Sequence, residues 1–249
     1  MTSKFFRFKP ENLEIKKSET VVEWGKTMVF APHPDDESLG CGGAIALLRK
    51  FDLPVSVVTM SDGTLSHPNS RKFPPEKLRD LRETEMRNAL EILGVSENEI
   101  TFLRYRDRAV PDENSPDFDS AVEKIKNFLM EKQPQTILAP WRYDPHPDHR
   151  ATQQITRAAT NSVDFRIRLI EYPIWLWELA EEKDLPSENE IRAWRLDIEK
   201  VFGKKQFAIA AHVSQTTDLI DDDPRGFRLS AKILAHFAAP FEVYLEEIK

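Results

Sequence analysis

Short apolar runs with the period of a strand alternate along this chain with runs that have the period of a helix. No other feature constrains the fold as much. Thr27-Met28-Val29-Phe30-Ala31 reads as a buried strand, residues 42–50 as a helix, and residues 55–60 as a second strand rich in β-branched side chains. Leu78, Leu81, Met86, Ala89, Leu90 and Leu93 then recur at helical spacing, and Gly94 follows as a C-terminal cap. Residues 100–103 are strand-like, and Phe118, Ala121, Val122, Ile125, Phe128 and Leu129 mark an amphipathic helix. Residues 136–139, closed by Pro140, give a fourth strand; residues 148–160 read as a helix and 166–172 as a further strand. Strands alternating with helices build βαβ units with right-handed crossovers. The expectation is an α/β, Rossmann-like doubly wound fold, a mainly parallel sheet with helices on both faces. At 249 residues a single domain is expected, with a core over about 26–172 and a C-terminal extension over about 173–249.

The composition narrows the function. A net charge of −7 argues against a nucleic-acid partner, because phosphate backbones are bound by clustered positive charge. The single cysteine, Cys41, excludes an intramolecular disulfide and a multi-cysteine zinc site, and reads as a small packing residue. Residues 1–17 carry five basic side chains and no apolar h-region, so they do not read as a secretory signal. No apolar run approaches the ~20 residues of a membrane span. The expected location is cytoplasmic.

Two stretches carry chemistry. Pro32-His33-Pro34-Asp35-Asp36-Glu37 lies at the carboxyl end of the first strand and is followed by Gly40, Gly42 and Gly43. It is not a dinucleotide loop: Ile45 stands where the third glycine belongs, and a pyrophosphate would face three carboxylates. Such a site wants a cation. Asp144-Pro145-His146-Pro147-Asp148-His149-Arg150 follows the fourth strand. Pro147 suits the first position of a helix, which puts His146 and His149 three apart on one face. Imidazole and carboxylate together form a common zinc set, three protein ligands with a fourth position open. In the usual doubly wound order the first and fourth strands are neighbours at the switch point, so loops leaving their carboxyl ends converge. Read singly, Asp148 could be a helix cap and Asp35-Asp36 a turn; matching positions on adjacent strands favour a joint site.

These stretches resemble the signature of the N-acetylglucosaminyl de-N-acetylases, the PIG-L or LmbE-like zinc deacetylases. The first reads Ala31-Pro32-His33-Pro34-Asp35-Asp36-Glu37, with Pro32 where the commonest pattern has Ala; His146-Pro147-Asp148-His149 matches in full. The resemblance runs from about Met28 to Ala151, with a weaker echo in Lys205, His212, Ser214 and Gln215. It implies His33, Asp36 and His149 as ligands of one zinc per chain, or of another divalent ion such as Fe2+. It implies Asp35 as general base, and His146, tuned by Asp148, as the group that stabilises the oxyanion or protonates the leaving amine. Arg82 stands at the spacing of a substrate-contacting arginine. Asp144 departs from members that carry an aromatic residue two positions before the histidine.

The activity implied is hydrolysis of the acetyl or acyl group from an N-acetylated amino sugar or its conjugate, a small-molecule partner. The alternatives are another single-metal hydrolase on the same fold, a phosphoesterase or amidase, and a non-catalytic sugar-binding module. The motifs leave the aglycone and homo-oligomer formation open. Two Pro/Ser/Asn-rich connections, residues 64–77 and 107–117, are candidate substrate walls. Ile174-Trp175-Leu176-Trp177 is expected in the core, with a pocket or an oligomer contact as alternatives.

Overall fold

The computed structural model describes residues 10–187 and 189–248. The described strands are β1 (Ile15–Lys16), β2 (Thr27–Ala31), β3 (Val55–Ser61), β4 (Ile100–Tyr105), β5 (Thr136–Pro140), β6 (Arg168–Tyr172), β7 (Ile191–Asp197) and β8 (Phe241–Glu247). They form one sheet in the order β1-β7-β8-β6-β5-β2-β3-β4. The pairings β6–β5, β5–β2, β2–β3 and β3–β4 are parallel, as is β1–β7; β8 runs antiparallel to both β6 and β7. The mainly parallel, doubly wound expectation holds, and the chain beyond Tyr172 continues the same sheet.

The helices are α1 (Asp36–Lys50), α2 (Pro75–Leu93), α3 (Phe118–Lys132), α4 (Pro147–Asn161), α5 (Phe202–Ala211), α6 (Val213–Thr216) and α7 (Ala231–Ala235). Alternate residues of a strand point to opposite faces. Val29, Ala31, Val57 and Leu138 accordingly join the core under α1, α2 and α5, while Met28, Phe30, Val58 and Ile137 join the core under α3 and α4. With both faces covered, β2, β3 and β5 are buried at every residue, which is why they read as unbroken apolar runs.

α1 begins six residues before the apolar periodicity suggests. Asp36 and Glu37 sit in its first turn, where carboxylates meet the positive end of the helix. Gly40 is required there: a Cβ would lie 2.3 Å from the Tyr172 ring. β2 and β5 pair from Thr27 opposite Thr136 to Val29 opposite Leu138, so the loops after Ala31 and Pro140 leave the sheet side by side. Among the described residues no helix is long and apolar enough to cross a membrane.

Candidate active site

Both motif loops converge at the carboxyl ends of β2 and β5. Asp36 Oδ2 accepts the His33 backbone N–H at 2.9 Å, and lies 3.2 Å from His33 Nδ1 and 3.2 Å from His149 Nε2. His146 is the N-cap of α4, with Pro147 opening the helix. The His33, His146 and His149 rings are mutual neighbours, with centroids 4.8 to 5.4 Å apart.

The outer ring nitrogens face carboxylates. His33 Nε2 lies 3.1 Å from Asp148 Oδ2 and 3.4 Å from Asp107 Oδ1; His149 Nδ1 lies 3.4 Å from Asp144 Oδ1. The carboxylates are fixed in turn. Asp148 accepts the Arg108 and Val110 amides, Asp107 accepts the Leu65 amide, and Asp144 accepts the amides of His146, Ile174 and Trp175. A carboxylate behind a metal-binding imidazole is the usual device for fixing its ring and tautomer.

Among the described residues, two groups have donor atoms within 4.8 Å of one another and could hold a metal: His33 with His146 and His149, and His33 with Asp107 and Asp148. Tetrahedral coordination at ~2.1 Å sets neighbouring donors about 3.4 Å apart, close to the spacing of Asp36 Oδ2 from the two imidazole nitrogens. His149 is fully buried, and neither of its ring nitrogens makes a well-aligned hydrogen bond despite the carboxylates nearby. That is the signature of donors shaped for a cation rather than for each other.

The charges respond accordingly. Burial works against a charged His149, but Asp36 and Asp144 overcome it and push its pKa up to about 9. Burial also opposes charge on His33, which Asp107, Asp148 and Asp36 nonetheless hold well above the ordinary range. Asp36 shows the converse: burial raises it, yet His149 and then His33 pull it well below the usual carboxylate range. Burial lifts Asp35 to about 6, with Arg82 opposing and Asp36 adding.

Arg82, the expected substrate contact, is 3% exposed; it lines the cavity that opens over this cluster, and its Nε has no hydrogen-bond partner among the described residues. It donates to Gly63 O at 2.7 Å, Pro34 O at 2.7 Å and Asp35 Oδ2 at 3.1 Å. Gly63, at φ +62, permits the approach, since a Cβ there would lie 2.4 Å from the guanidinium. Asp148 acts on His146 through its charge, which opposes the lowering of that ring's pKa by burial. The Asp148 side chain faces His33, and its contact with His146 is its backbone N–H, donated to Nδ1 at 3.2 Å. Burial and the other two histidines lower the His146 pKa to about 3, so the ring is neutral with its proton on Nε2.

A cavity of about 330 Å3 opens over this cluster. Its floor is His33, Asp35, Asp36, Asp107 and His146; its far wall is Trp175, Leu179, Phe227, Leu229 and Ile233. Leu65 and Ser66 of one long connection, and Asp107 and Arg108 of the other, also line it. Ile174 and Leu176 are in the core, while Trp175 turns to the cavity and meets Phe227 edge-on at 5.7 Å. Asp107 carries no motif; its only sequence signal is its place just after β4, at the same edge of the sheet.

Of the C-terminal echo, Gln215 lines the cavity and His212 reaches Glu37, whereas Ser214 pairs with Glu85 and Lys205 with Glu242. Cys41 is buried, as a packing residue should be.

Fold and site together define a Rossmann-like α/β protein with a histidine–aspartate centre at the switch point of its sheet. Residues 28–160, more than half of the chain, match the PIG-L family, described as GlcNAc-PI de-N-acetylase, and the chain belongs to that family. A probable N-acetyl-alpha-D-glucosaminyl L-malate deacetylase 2 from Bacillus cereus is 26% identical over 202 residues, covering 78% of this chain and 86% of that protein. The solved N,N'-diacetylchitobiose deacetylase from Pyrococcus horikoshii superposes with a TM-score of 0.63 at 24% identity, over 81% of this chain and 74% of that one. Teicoplanin deacetylase Orf2, solved in a zinc-inhibited form, gives 0.63 at 20% identity, over 90% and 99%. These two structures share the fold.

Proposed function

We propose that this chain is a metal-dependent deacetylase of N-acetylated amino sugars or their conjugates, with zinc or another divalent ion such as Fe2+ held by His33, Asp36 and His149. The observation that carries the reading is Asp35, a carboxylate lining the cavity beside that cluster but outside it. A sugar-binding module has no use for such a group, and a family of de-N-acetylases does. The Asp36 set is preferred over His33, Asp107 and Asp148 because Asp36 Oδ2 lies 3.2 Å from both His33 Nδ1 and His149 Nε2, and the buried His149 nitrogens have no other hydrogen-bond partner among the described residues.

A divalent ion in this position supplies a Lewis acid for the amide carbonyl and acidifies water. Asp35 takes a proton from the attacking water as its oxygen adds to the acyl carbon. The C–N bond then breaks; the proton passes to the leaving nitrogen, and the products are acetate and a free amine. Neutral His146 donates Nε2–H to the carbonyl oxygen as negative charge develops there, a role that needs preorganisation rather than a cationic ring. Arg82 holds Asp35, and Asp148, Asp107 and Asp144 orient the two histidines.

Acetate release from N-acetylglucosamine carrying methyl, malate, inositol and β-1,4-glucosamine aglycones, with the metal-stripped protein reloaded with Zn2+ or Fe2+, tests the reading. Release that requires the metal is expected with at least one of them. No release under either metal, with phosphomonoesters hydrolysed instead, would transfer the chain to the phosphoesterase reading.

A further inference from the structure

Glu37 takes no part in the reaction above, yet it is wholly buried (0% exposed) two residues from the base. Asp35 itself has φ +142 and ψ −27, a conformation that L side chains rarely adopt and that persists only where the surroundings enforce it. Its surroundings can be traced bond by bond. The Asp35 carbonyl accepts the Ser38 and Leu39 amides at 3.0 Å each, which seats it on the first turn of α1. Its side chain and the preceding carbonyl are held by Arg82. Its N–H is held by Glu37 alone, Oε2 accepting it at 3.0 Å.

Glu37 needs anchoring to do this, because it follows two other buried carboxylates and would be repelled by them. Its second oxygen, Oε1, accepts the Ser38 hydroxyl at 2.6 Å and His212 Nε2 at 3.0 Å. Ser38 is the neighbouring residue and moves with α1. His212, 175 positions away, ends α5 and is 1% exposed, so it ties the carboxylate to a separate element. Its Nδ1 has no hydrogen-bond partner. The ring therefore spends its one polar contact outside its own helix junction on the Glu37–Ser38 pair, through Nε2.

We propose that His212 is a positioning residue for the base. By holding Glu37 it fixes the N–H of Asp35, and so keeps the Asp35 carboxylate aimed at the attacking water. This rests on the general-base reading of Asp35. It predicts an effect that travels through Asp35 and through nothing else.

The test is a double-mutant cycle on the metal-loaded full chain. It uses whichever N-acetylglucosamine glycoside of the panel releases acetate fastest, with metal content and thermal midpoint measured on every variant. His212→Leu keeps bulk and removes the donor; kcat should fall by as much as about 10²-fold, the cost of a misplaced catalytic group, with KM and metal content retained. His212→Gln, which returns an N–H near the Nε2 position, should recover most of the loss. Combined with Asp35→Asn, His212→Leu should cost nothing further. Ser38→Ala should give a smaller loss in the same direction, again absent on Asp35→Asn, and it carries the cycle if His212→Leu does not fold.

A full His212→Leu loss on top of Asp35→Asn, a parallel loss of metal, or an unchanged kcat would each overturn the proposal. Crystal structures give a readout independent of turnover: Asp35 should keep its positive φ in the parent and leave it in His212→Leu. Retention in the variant would also overturn the proposal. Full activity in Asp35→Asn would instead defeat the general-base reading, and leave the crystal structures to decide the anchoring.

Discussion

The loops that leave β2 and β5 and the segment from Pro173 onward line the same cavity in different ways. In the loops almost every functional side chain has a fixed partner: His33 and His149 between carboxylates, Asp148 and Asp144 on backbone amides, Asp35 on Arg82. In the later segment Trp175, Leu179 and Phe227 touch the cavity through apolar surface, and Leu179 is 57% exposed. The hydrogen-bonded end admits few arrangements, as catalysis requires when donors must be preorganised. The wall's backbone is pinned by hydrogen bonds, Trp175 N–H to Asp144 and Phe227 N–H to Ser66 O, while its apolar side chains meet the cavity through non-directional contact that tolerates change. The two are coupled where Asp144 both faces His149 and accepts the amides of Ile174 and Trp175, and where His212 reaches Glu37.

The largest predicted effect lies at the centre of the loop cluster. His149→Ala removes a ligand from a fully buried position; the purified protein should fall from about one divalent ion per chain to a small fraction of that, with loss of acetate release. Retained metal would move the centre to the Asp107–Asp148 side. Next comes Asp35→Asn, which keeps size and metal but cannot take the proton. Turnover should drop about 10²–10⁴-fold with KM little changed.

The same residue predicts a pH dependence. Burial holds its proton up to about pH 6, so kcat/KM should fall as pH drops through that value and be restored above it. A rate that instead rises toward acid would exclude Asp35 as the base.

A third, smaller effect probes the outer carboxylates. Asp144→Asn leaves the ligands in place and should weaken metal binding about 10–100-fold, measured by competition with a chelator. Because Asp144 also holds the Trp175 amide, a simultaneous rise in KM would show that the two regions are linked. The smallest effect belongs to the wall: Trp175→Ala should raise KM several-fold for glycosides with bulky aglycones while leaving metal content and kcat intact. An equal loss on the methyl glycoside would place Trp175 against the sugar ring rather than beyond it.

Much of this architecture is legible in the residues. β2, β3 and β5 are buried on both faces, so their apolar runs have no interruptions and their limits fall within a residue or two of the expected ones. β7 and β8 are harder to see. Their burial alternates or frays, and charged residues such as Arg192, Arg195 and Glu246 sit within them, so the period-2 signal is weak. Their place in the sheet comes from cross-strand pairing with β6 and with each other.

By itself the sequence determined the chemistry available at the ends of two strands: histidines and carboxylates at spacings that one turn of backbone can bring to a common point. It also determined that those ends adjoin, because βαβ crossovers of one hand leave few arrangements of the sheet. Only the tertiary structure decided which carboxylate serves which imidazole. Asp148 and His146 are close in sequence, yet the Asp148 side chain turns to His33, 115 positions away, since the first turn of α4 spends its amide on the His146 ring. Likewise Arg82, Asp107 and His212 carry no motif strong enough to place them. Long-range contacts are set by packing, where burial forces each charge to find a partner from whatever element lies nearest.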